Sequence, residues 1–355
     1  MKQNPLMTTF AGISGLLLWS FAFPAMAAPD NSVDMTLTNS AAVSMQQKPG
    51  DLLGGWKRAV CYSGFRHGQH PDRGDGAVNP SDQEIVQDLQ ILSRQGNFHL
   101  VRLYDAQANS EAVLRLIETN KLNVKVLLGA WLAAEVSNSN CPWHKEPYPR
   151  EILEANKLQN AREIESAIRL ARRYSSTVVA VSVGNEAMAD WTDHLVPVDS
   201  IISYVRKVKQ SISQPVTVAD NYDWWAHHGA VLARELDFVS VHTYPVWEGK
   251  NIDEAMSFSI ANLQAVRNAL PHSRLVITEA GWATVASEFG PRAGEAQQKR
   301  YYHDLFAWAG AMNITTFFFE AFDEDWKGES NNPLAAEKHW GLFTVGREPK
   351  LVMRQ

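Results

Sequence analysis

The chain has 355 residues, of which 45% are hydrophobic, and a formal net charge of −6 with a pI near 6.0. This length and apolar content suffice for one large packed core, and the acidic balance argues against a nucleic-acid partner, which would require a basic face. The 12 Trp residues are an unusually large number. About half of them are expected in the core, whereas flat rings at the surface suit stacking on sugars.

The first 27 residues are typical of a signal peptide. Lys2 is the only early charge, the stretch 10–23 is largely apolar, and Ala25-Met26-Ala27 has the small residues of a cleavage site. The apolar run is shorter than the roughly 20 residues of a membrane span, and Ser14 interrupts it. Export to the periplasm or the medium is therefore favoured over an uncleaved anchor, and no stable membrane insertion is expected.

Residues 28–52 are predicted to be a disordered leader, because Ser, Thr, Asn and Gln dominate and the apolar residues show no period. Residues 53–355 then form a single domain, which we expect to be a monomer. Its two cysteines, Cys61 and Cys141, can form a disulfide in an exported protein, or they can remain two buried thiols. The sequence leaves both alternatives open, because the distance between the two residues is set by the fold.

From Trp56 onward, short apolar and β-branched runs alternate with amphipathic helical stretches. Eight such runs predict strands, at residues 59–62, 100–104, 124–128, 178–183, 216–218, 238–241, 275–278 and 315–319. Helices are predicted from a cap at Ser81 with Glu84, over 161–174, from Asp199, over 262–270 and over 296–312. The alternation predicts an α/β fold of the (β/α)8 barrel type. A doubly wound sheet would carry G-x-G-x-x-G after the first strand, which residues 61–68 lack.

The active sites of such barrels lie at the carboxyl ends of the strands. Polar residues follow the apolar runs of this chain at Tyr104-Asp105, Asn185-Glu186, Asp220-Asn221, His242 to Tyr244, Glu279, Glu320 and Asp323. Unpaired buried charge is costly, so a mouth this rich in carboxylates indicates a function. Cleavage of a glycosidic bond needs two carboxyl groups, one to protonate the leaving oxygen and one on the other side of the anomeric carbon. Glu186 and Glu279 are the predicted pair.

Two segments, 183–187 (VGNEA) and 277–282 (ITEAGW), resemble the proton-donor and nucleophile motifs of glycoside hydrolase family 17. Further segments are similar to the same family, at 62–69, 101–105, 319–323, 326–327 and 339–343. The resemblance runs from Trp56 to Lys350, and the sixth strand departs from the family pattern although it keeps Tyr244-Pro245. It implies a (β/α)8 barrel and retaining cleavage of β-1,3-glucan, with Glu186 as proton donor and Glu279 as nucleophile.

Other side chains at the predicted mouth are candidates for binding the glucan: Asn185, Tyr104, Asp105, Tyr244, Trp282, Glu320 and Lys327. Asp105 has the alternative of holding Arg66. Glu320 has the alternatives of orienting Lys327 or of forming a purely structural ion pair. Tyr244 either keeps Glu279 ionised through a hydrogen bond or packs. Among Trp282, Trp326, Trp224 and Trp225, we expect Trp282 to stack on sugar, because it follows the nucleophile; the alternative is a place in the core.

The histidines that could suggest a zinc site, His67, His70, the pair His227-His228 and His242, form no compact metal-ligand motif. No metal or other cofactor is therefore expected. The same glutamates can pass the glycosyl group to a sugar hydroxyl instead of water, which leaves a β-1,3-glucan transglycosylase as an alternative. A barrel that only binds glycan is a further alternative, but such barrels usually lack a catalytic carboxylate. Endo or exo action and branching preference stay open.

Overall fold

In the computed structural model of the protein, residues 43–72 and 74–354 are described. The predicted signal peptide at residues 1–27 and most of the predicted leader lie outside these ranges. Within them, the helices are all too short or too polar to cross a membrane.

Eight parallel strands close into a barrel in chain order, and β8 pairs with β1. The strands are β1 (Arg58–Cys61), β2 (Leu100–Arg102), β3 (Lys125–Ala130), β4 (Val178–Asn185), β5 (Val216–Asn221), β6 (Val239–Thr243), β7 (Leu275–Gly281) and β8 (Thr316–Phe319). The predicted (β/α)8 barrel is confirmed, and all eight predicted strands overlap the observed ones. Strands β4 and β7 run further than predicted, because the backbones of Asn185 and Glu279 still pair with the neighbouring strands.

The helices between the strands are α1 (Asp82–Arg94), α2 (Ala108–Thr119), α3 (Arg150–Arg173), α4 (Val198–Ser211), α5 (Tyr222–His228), α6 (Ala230–Ala233), α7 (Ile252–Ala269) and α8 (Glu295–Ala311). The predicted cap of α1 is present: Ser81 Oγ accepts from the Glu84 N–H, and Glu84 Oε2 accepts from the Ser81 N–H over 2.8 Å. Helices α3 and α7 begin earlier than predicted, because many of their residues before 161 and 262 are exposed, or small and polar such as the buried Ser259, and so give no clear apolar stripe.

The last part of the predicted leader, residues 43–52, is packed against the amino-terminal end of the barrel. The Gln47 side chain donates to the Leu275 carbonyl over 2.8 Å and accepts from the Leu275 N–H over 2.8 Å and from Arg267 over 3.0 Å. Met45 is buried beside it. The prediction of disorder is wrong for this part, because side-chain hydrogen bonds to the start of β7 order a polar segment that shows no apolar period.

Cys61 at the end of β1 and Cys141 in the β3–α3 connection are both buried free thiols. Of the two alternatives left open by the sequence, the unpaired one is therefore observed. The Cys61 thiol donates to the Thr278 carbonyl over 3.3 Å, and burial raises its pKa, so that it stays protonated.

Candidate active site

Strands β4 and β7 deliver Glu186 and Glu279 to the carboxyl end of the barrel. The side chain of Glu186 is 16% exposed and that of Glu279 is 5% exposed. One carboxylate oxygen of each lies within 4.8 Å of one of the other. The structure thus brings together the two carboxyl groups that the sequence predicted to form a pair.

Both oxygens of Glu279 accept hydrogen bonds. Oε1 accepts from Arg102 over 2.7 Å and from Tyr104 over 3.0 Å, and Oε2 accepts from Tyr244 over 2.6 Å. Burial raises the pKa of Glu279, but the imidazole of His242, the Arg102 guanidinium and these hydroxyl donors outweigh burial and lower it. Burial raises the pKa values of Tyr104 and Tyr244 well above 10, so both keep the proton they donate.

Glu186 lies in a tight turn at the end of β4, with a φ of +47°. Strand β5 holds this turn, because the Glu186 N–H donates to the Ala219 carbonyl over 2.8 Å and the Met188 N–H donates to Asp220 over 2.9 Å. Burial raises the pKa of Glu186 to about 8, and the charge of Glu279 acts in the same direction. Glu186 is therefore protonated at neutral pH, while Glu279 is ionised.

Asn185 links the two halves of this site. Its side-chain oxygen accepts from Arg102 over 2.5 Å, and its carbonyl oxygen lies 2.9 Å from Nε2 of His194. The amide NH2 of Asn185 is the group that remains for a sugar hydroxyl.

Tyr104 approaches the backbone of β3 closely, since a Cβ at Gly129 would lie 2.4 Å from the Tyr104 carbonyl oxygen.

His242 lies between the two glutamates. Its Nδ1 is 2.9 Å from Oε1 of Glu186 and 3.5 Å from Oε2 of Glu279, and its Nε2 is 3.1 Å from Nη1 of Arg102. The ligand atoms of the three residues lie within 4.8 Å of one another, which is close enough for a metal ion. A guanidinium only donates hydrogen bonds, however, so the ring proton lies on Nδ1, and no lone pair is left there for a metal. The arrangement fits acid–base chemistry better than a metal centre.

Glu320 lies after β8 in a buried cluster. Its carboxylate is 2.8 Å from the ammonium of Lys327, which is also 2.6 Å from Glu324, and Glu324 accepts from Ser63. Burial raises the pKa of Glu320 well above its usual range. The side chain of Lys327 is 16% exposed, against 2% for Glu320. The structural pair named as an alternative for Glu320 is thus present, and Lys327 is the member that reaches the surface.

Asp105 does not hold Arg66, so that alternative is wrong. Asp105 Oδ1 accepts from the Ser110 hydroxyl over 2.7 Å and from the Gln107 N–H over 3.0 Å. Arg66 pairs instead with Asp88 at 2.8 Å. The carboxylate of Asp105 lies at the start of α2, where the unpaired N–H groups and the helix dipole favour a negative charge.

The prediction that Trp282 stacks on sugar is wrong. Its ring is fully buried against Tyr301 of α8, and its Nε1 donates to the Arg292 carbonyl over 2.9 Å. Side chains alternate between the two faces of a strand, so the third residue after Glu279 faces away from the mouth. Trp224 and Trp225 are buried as well, whereas Trp326 is partly exposed and packs edge-on against Phe65.

In the described part of the chain, the exposed tryptophans differ from the predicted candidates. They are Trp131, Trp143, Trp191 and Trp247, which are 37% to 46% exposed. Trp131 directly follows β3 and packs against His194, with 4.7 Å between ring centroids and 33° between the ring planes. Because His194 contacts Asn185, this ring lies beside the Glu186 turn. The signal that could have identified Trp131 is its position immediately after an apolar run, as for the catalytic candidates.

Glu337, in the segment after β8, is a further carboxylate that the sequence did not reveal. Burial raises its pKa to about 7; the charge of Lys327 lowers the pKa, while the charges of Glu186 and Glu279 raise it. These interactions place Glu337 at the mouth. No pattern marked it, because residues 328–350 are rich in Gly, Asn and Pro and carry no clear period.

Residues 59–341 match the family model described as the BtgE/BtgC glycoside hydrolase domain. The chain belongs to this family. Among curated relatives of this glycoside hydrolase domain, the glucan endo-1,3-beta-glucosidase btgC of Emericella nidulans is 26% identical over 298 residues, which are 76% of the present chain. The chain spans 42% of the length of that relative and 40% of a relative from Aspergillus niger that is 27% identical.

Two solved structures share the barrel. An endo-laminarinase from Formosa Hel1_33_131 gives a TM-score of 0.71 at 25% identity and covers 85% of this chain and 86% of its own. The glycoside hydrolase family 17 beta-1,3-glucanosyltransferase from Rhizomucor miehei gives a TM-score of 0.64 at 22% identity, covering 84% and 97%. At 22% identity, the similarity to the glucanosyltransferase shows a shared fold and nothing more.

Proposed function

We propose that this domain is an exported, retaining β-1,3-glucan hydrolase of glycoside hydrolase family 17, with Glu186 as proton donor and Glu279 as nucleophile. The observation that carries the proposal is the pair itself. One carboxylate oxygen of Glu186 lies within 4.8 Å of one of Glu279, and the pKa values of the two residues are displaced in opposite directions. Retaining glycosidases hold these groups roughly 5 Å apart, whereas inverting ones need roughly 6.5 to 9.5 Å to admit a water.

In the first step, protonated Glu186 gives its proton to the glycosidic oxygen, which leaves with the electron pair of the carbon–oxygen bond. An oxygen of Glu279 attacks the anomeric carbon from the opposite face and forms a glycosyl ester. In the second step, ionised Glu186 takes a proton from water, and the water oxygen displaces Glu279. Two inversions leave the product with the configuration of the substrate.

The choice of β-1,3-glucan as substrate is supported by the motif resemblance and by the names of the relatives, a glucan endo-1,3-beta-glucosidase and an endo-laminarinase. The exposed rings of Trp131 and Trp247 supply apolar faces on which glucose rings can stack, with polar groups of the mouth for the hydroxyls. Export rests on the N-terminal sequence, and fractionation of cells producing the full chain tests it.

Transfer to a sugar hydroxyl is the second candidate. It is favoured by exposed aromatic rings in the connections after β3 and β4, where ring centroids lie 4.7 Å apart for Trp131 and His194 and 6.0 Å apart for Trp143 and Trp191. The leaving sugar departs from the side of the proton donor, and an acceptor enters by the same route. Aromatic surface there binds sugar in competition with water.

Incubation with laminarin tests both candidates. Hydrolysis releases reducing ends and gives only shorter chains, whereas transfer also gives oligosaccharides longer than a defined starting oligosaccharide. Folded wild-type protein that produces neither would contradict the proposed function, and the glycan-binding alternative would then be tested by binding of the same laminarin.

A further inference from the structure

His242 is a buried residue of β6 with no place in the two-step mechanism above. Its ring lies between the proposed proton donor and the proposed nucleophile, with Nδ1 2.9 Å from Oε1 of Glu186. The contact to Glu279 is longer, at 3.5 Å. The shorter contact is therefore the one that defines the position of the ring relative to the reacting groups.

Arg102 determines which nitrogen of His242 carries the proton. Nη1 of Arg102 lies 3.1 Å from Nε2 and also donates to Glu279 and to the Thr278 carbonyl, so its two hydrogens are shared among three partners. Because a guanidinium offers no acceptor, a proton on Nε2 would have no partner there, and Nε2 keeps its lone pair. Nδ1 is then protonated and donates to Glu186. Burial lowers the pKa of His242 to about 4, and the charge of Arg102 acts in the same direction. The negative charges of Glu279 and Asp220 oppose this only in part, so the ring is neutral at the pH at which glutamate pairs catalyse.

We propose that His242 is a positioning residue for Glu186. The Nδ1–H of His242 donates to Oε1 of Glu186, which leaves Oε2 of Glu186 as the oxygen that carries the transferable proton. The inference rests on the proposed role of Glu186 as proton donor. When Oε2 loses its proton to the glycosidic oxygen, Glu186 becomes an anion and the His242 hydrogen bond becomes charge-assisted. Such bonds are roughly twice as strong as neutral ones, so the donor stabilises the transition state more than the ground state.

The same hydrogen bond affects the pH dependence. A donor to the charged form of an acid lowers its pKa, so loss of the donor raises the pKa of Glu186. The other groups that face this carboxyl stay in place: Arg102 from β2, Asp220 from β5, Glu279 from β7, His194 from the β4–α4 connection, Tyr244 from β6 and Glu337 after β8. The alkaline limb of activity therefore moves to higher pH when the donor is removed.

The test compares His242→Leu, which removes the donor, with His242→Asn, whose side-chain NH2 can replace it. For His242→Leu we expect kcat on laminarin to fall about 10- to 100-fold and KM to stay within about twofold. The pH at which activity declines on the alkaline side is expected to rise by about one unit. His242→Asn is expected to restore most of kcat and the wild-type limb. An aryl β-glucoside with a good leaving group, which needs little proton donation, is expected to show a smaller defect.

A purely structural role would lower kcat in both variants without moving the limb, and equal profiles for Leu and Asn would overturn the proposal. If the Leu variant fails to fold, nitrogen NMR of histidine-labelled wild-type protein decides. We expect the neutral Nδ1–H form of His242 from pH 5 to 8, and an Nε2–H form or a titration near pH 6.5 would overturn the proposal. Wild-type protein inactive on laminarin would instead contradict the proposed function, which separates the two failures.

Discussion

Nη1 of Arg102 donates to Oε1 of Glu279 over 2.7 Å, and the two side chains are only 1% and 5% exposed. A guanidinium does not lose its proton in a protein, so it holds an ionised carboxylate in a place from which water is nearly excluded. This gives Glu279 the charge that a nucleophile needs before substrate arrives.

The first prediction concerns Glu279→Gln. The amide oxygen still accepts from Arg102 and Tyr104, so the variant is expected to fold, but the neutral amide cannot form the glycosyl ester. Release of reducing ends from laminarin is expected to fall by at least about a thousandfold. Because Arg102 loses its counter-charge, the melting temperature is expected to drop, which circular dichroism measures.

Glu135→Gln is the matched control for this variant. Glu135 is also buried, and it accepts from Asn160 of α3 over 3.0 Å and from Tyr204 of α4 over 2.7 Å instead of from the residues that contact Glu279. Its replacement is expected to leave activity on laminarin unchanged. Near wild-type turnover by Glu279→Gln would exclude Glu279 as the nucleophile.

The second prediction concerns pH. Glu186 must be protonated to act, and its pKa is raised to about 8, so kcat/KM is expected to decline as the pH rises through that value. Glu279 must be ionised, and its pKa is lowered from 4.5, so the acidic decline is expected below that value. The pH profile of kcat/KM for laminarin measures both limbs.

Asp220→Asn adds a directional test to this profile. Asp220 is fully buried, and its charge and that of Glu186 repel each other. Removing the charge favours ionisation of Glu186, so the alkaline limb is expected to move to lower pH. This shift is opposite in sign to the one expected for His242→Leu, and a shift to higher pH would contradict the assigned electrostatics.

The sequence predicted the barrel because eight short apolar and β-branched runs alternate with helical stretches. It also predicted the Glu186–Glu279 pair, because both residues end such runs. It failed where the outcome depends on side-chain direction or on contacts distant in sequence. The burial of Trp282 follows from strand alternation, because Trp282 lies three residues after Glu279 and therefore on the opposite face. The packing of Gln47 against Leu275 joins residues 228 positions apart, and no local pattern reveals it.

The third prediction concerns the exposed ring of Trp131. Stacking on a sugar contributes about 0.5 to 1.5 kcal/mol if it resembles other aromatic contacts, so Trp131→Ala is expected to raise KM for laminarin up to about tenfold. Turnover of a small aryl glucoside is expected to change little. Trp56→Ala is the control, because Trp56 stacks on His99 with 4.8 Å between centroids at the opposite end of the barrel. Equal KM effects in the two variants would remove Trp131 from the binding surface.

The fourth prediction concerns Gln47, which joins the amino-terminal segment to β7. Gln47→Leu removes the hydrogen bonds to Nη2 of Arg267 and to the N–H and carbonyl of Leu275, so the free energy of unfolding is expected to fall by about 2 to 4 kcal/mol. Activity well below the melting temperature is expected to persist, because the segment lies away from the mouth. Gln46→Ala, at an exposed neighbouring position, is the control and is expected to leave the denaturation midpoint unchanged. If both variants lost the same free energy of unfolding, the contacts of Gln47 would not be specific.

The last prediction separates the roles of the two glutamates by stereochemistry. In Glu186→Ala, an aryl glucoside with a good leaving group still forms the glycosyl ester, because departure needs little proton donation. The ester then accumulates, since the base that activates water is missing.

Azide is expected to restore turnover of Glu186→Ala, because it is nucleophilic without a base and fits the space that the carboxyl group leaves. It attacks from the face of Glu186 and displaces Glu279, so the product is expected to be the β-glycosyl azide. In Glu279→Ala, azide enters from the nucleophile's face, and a single displacement is expected to give the α-glycosyl azide. Proton NMR of the products distinguishes the anomers by the coupling at C1. The opposite pattern, with the α-azide from Glu186→Ala, would require the two roles to be exchanged.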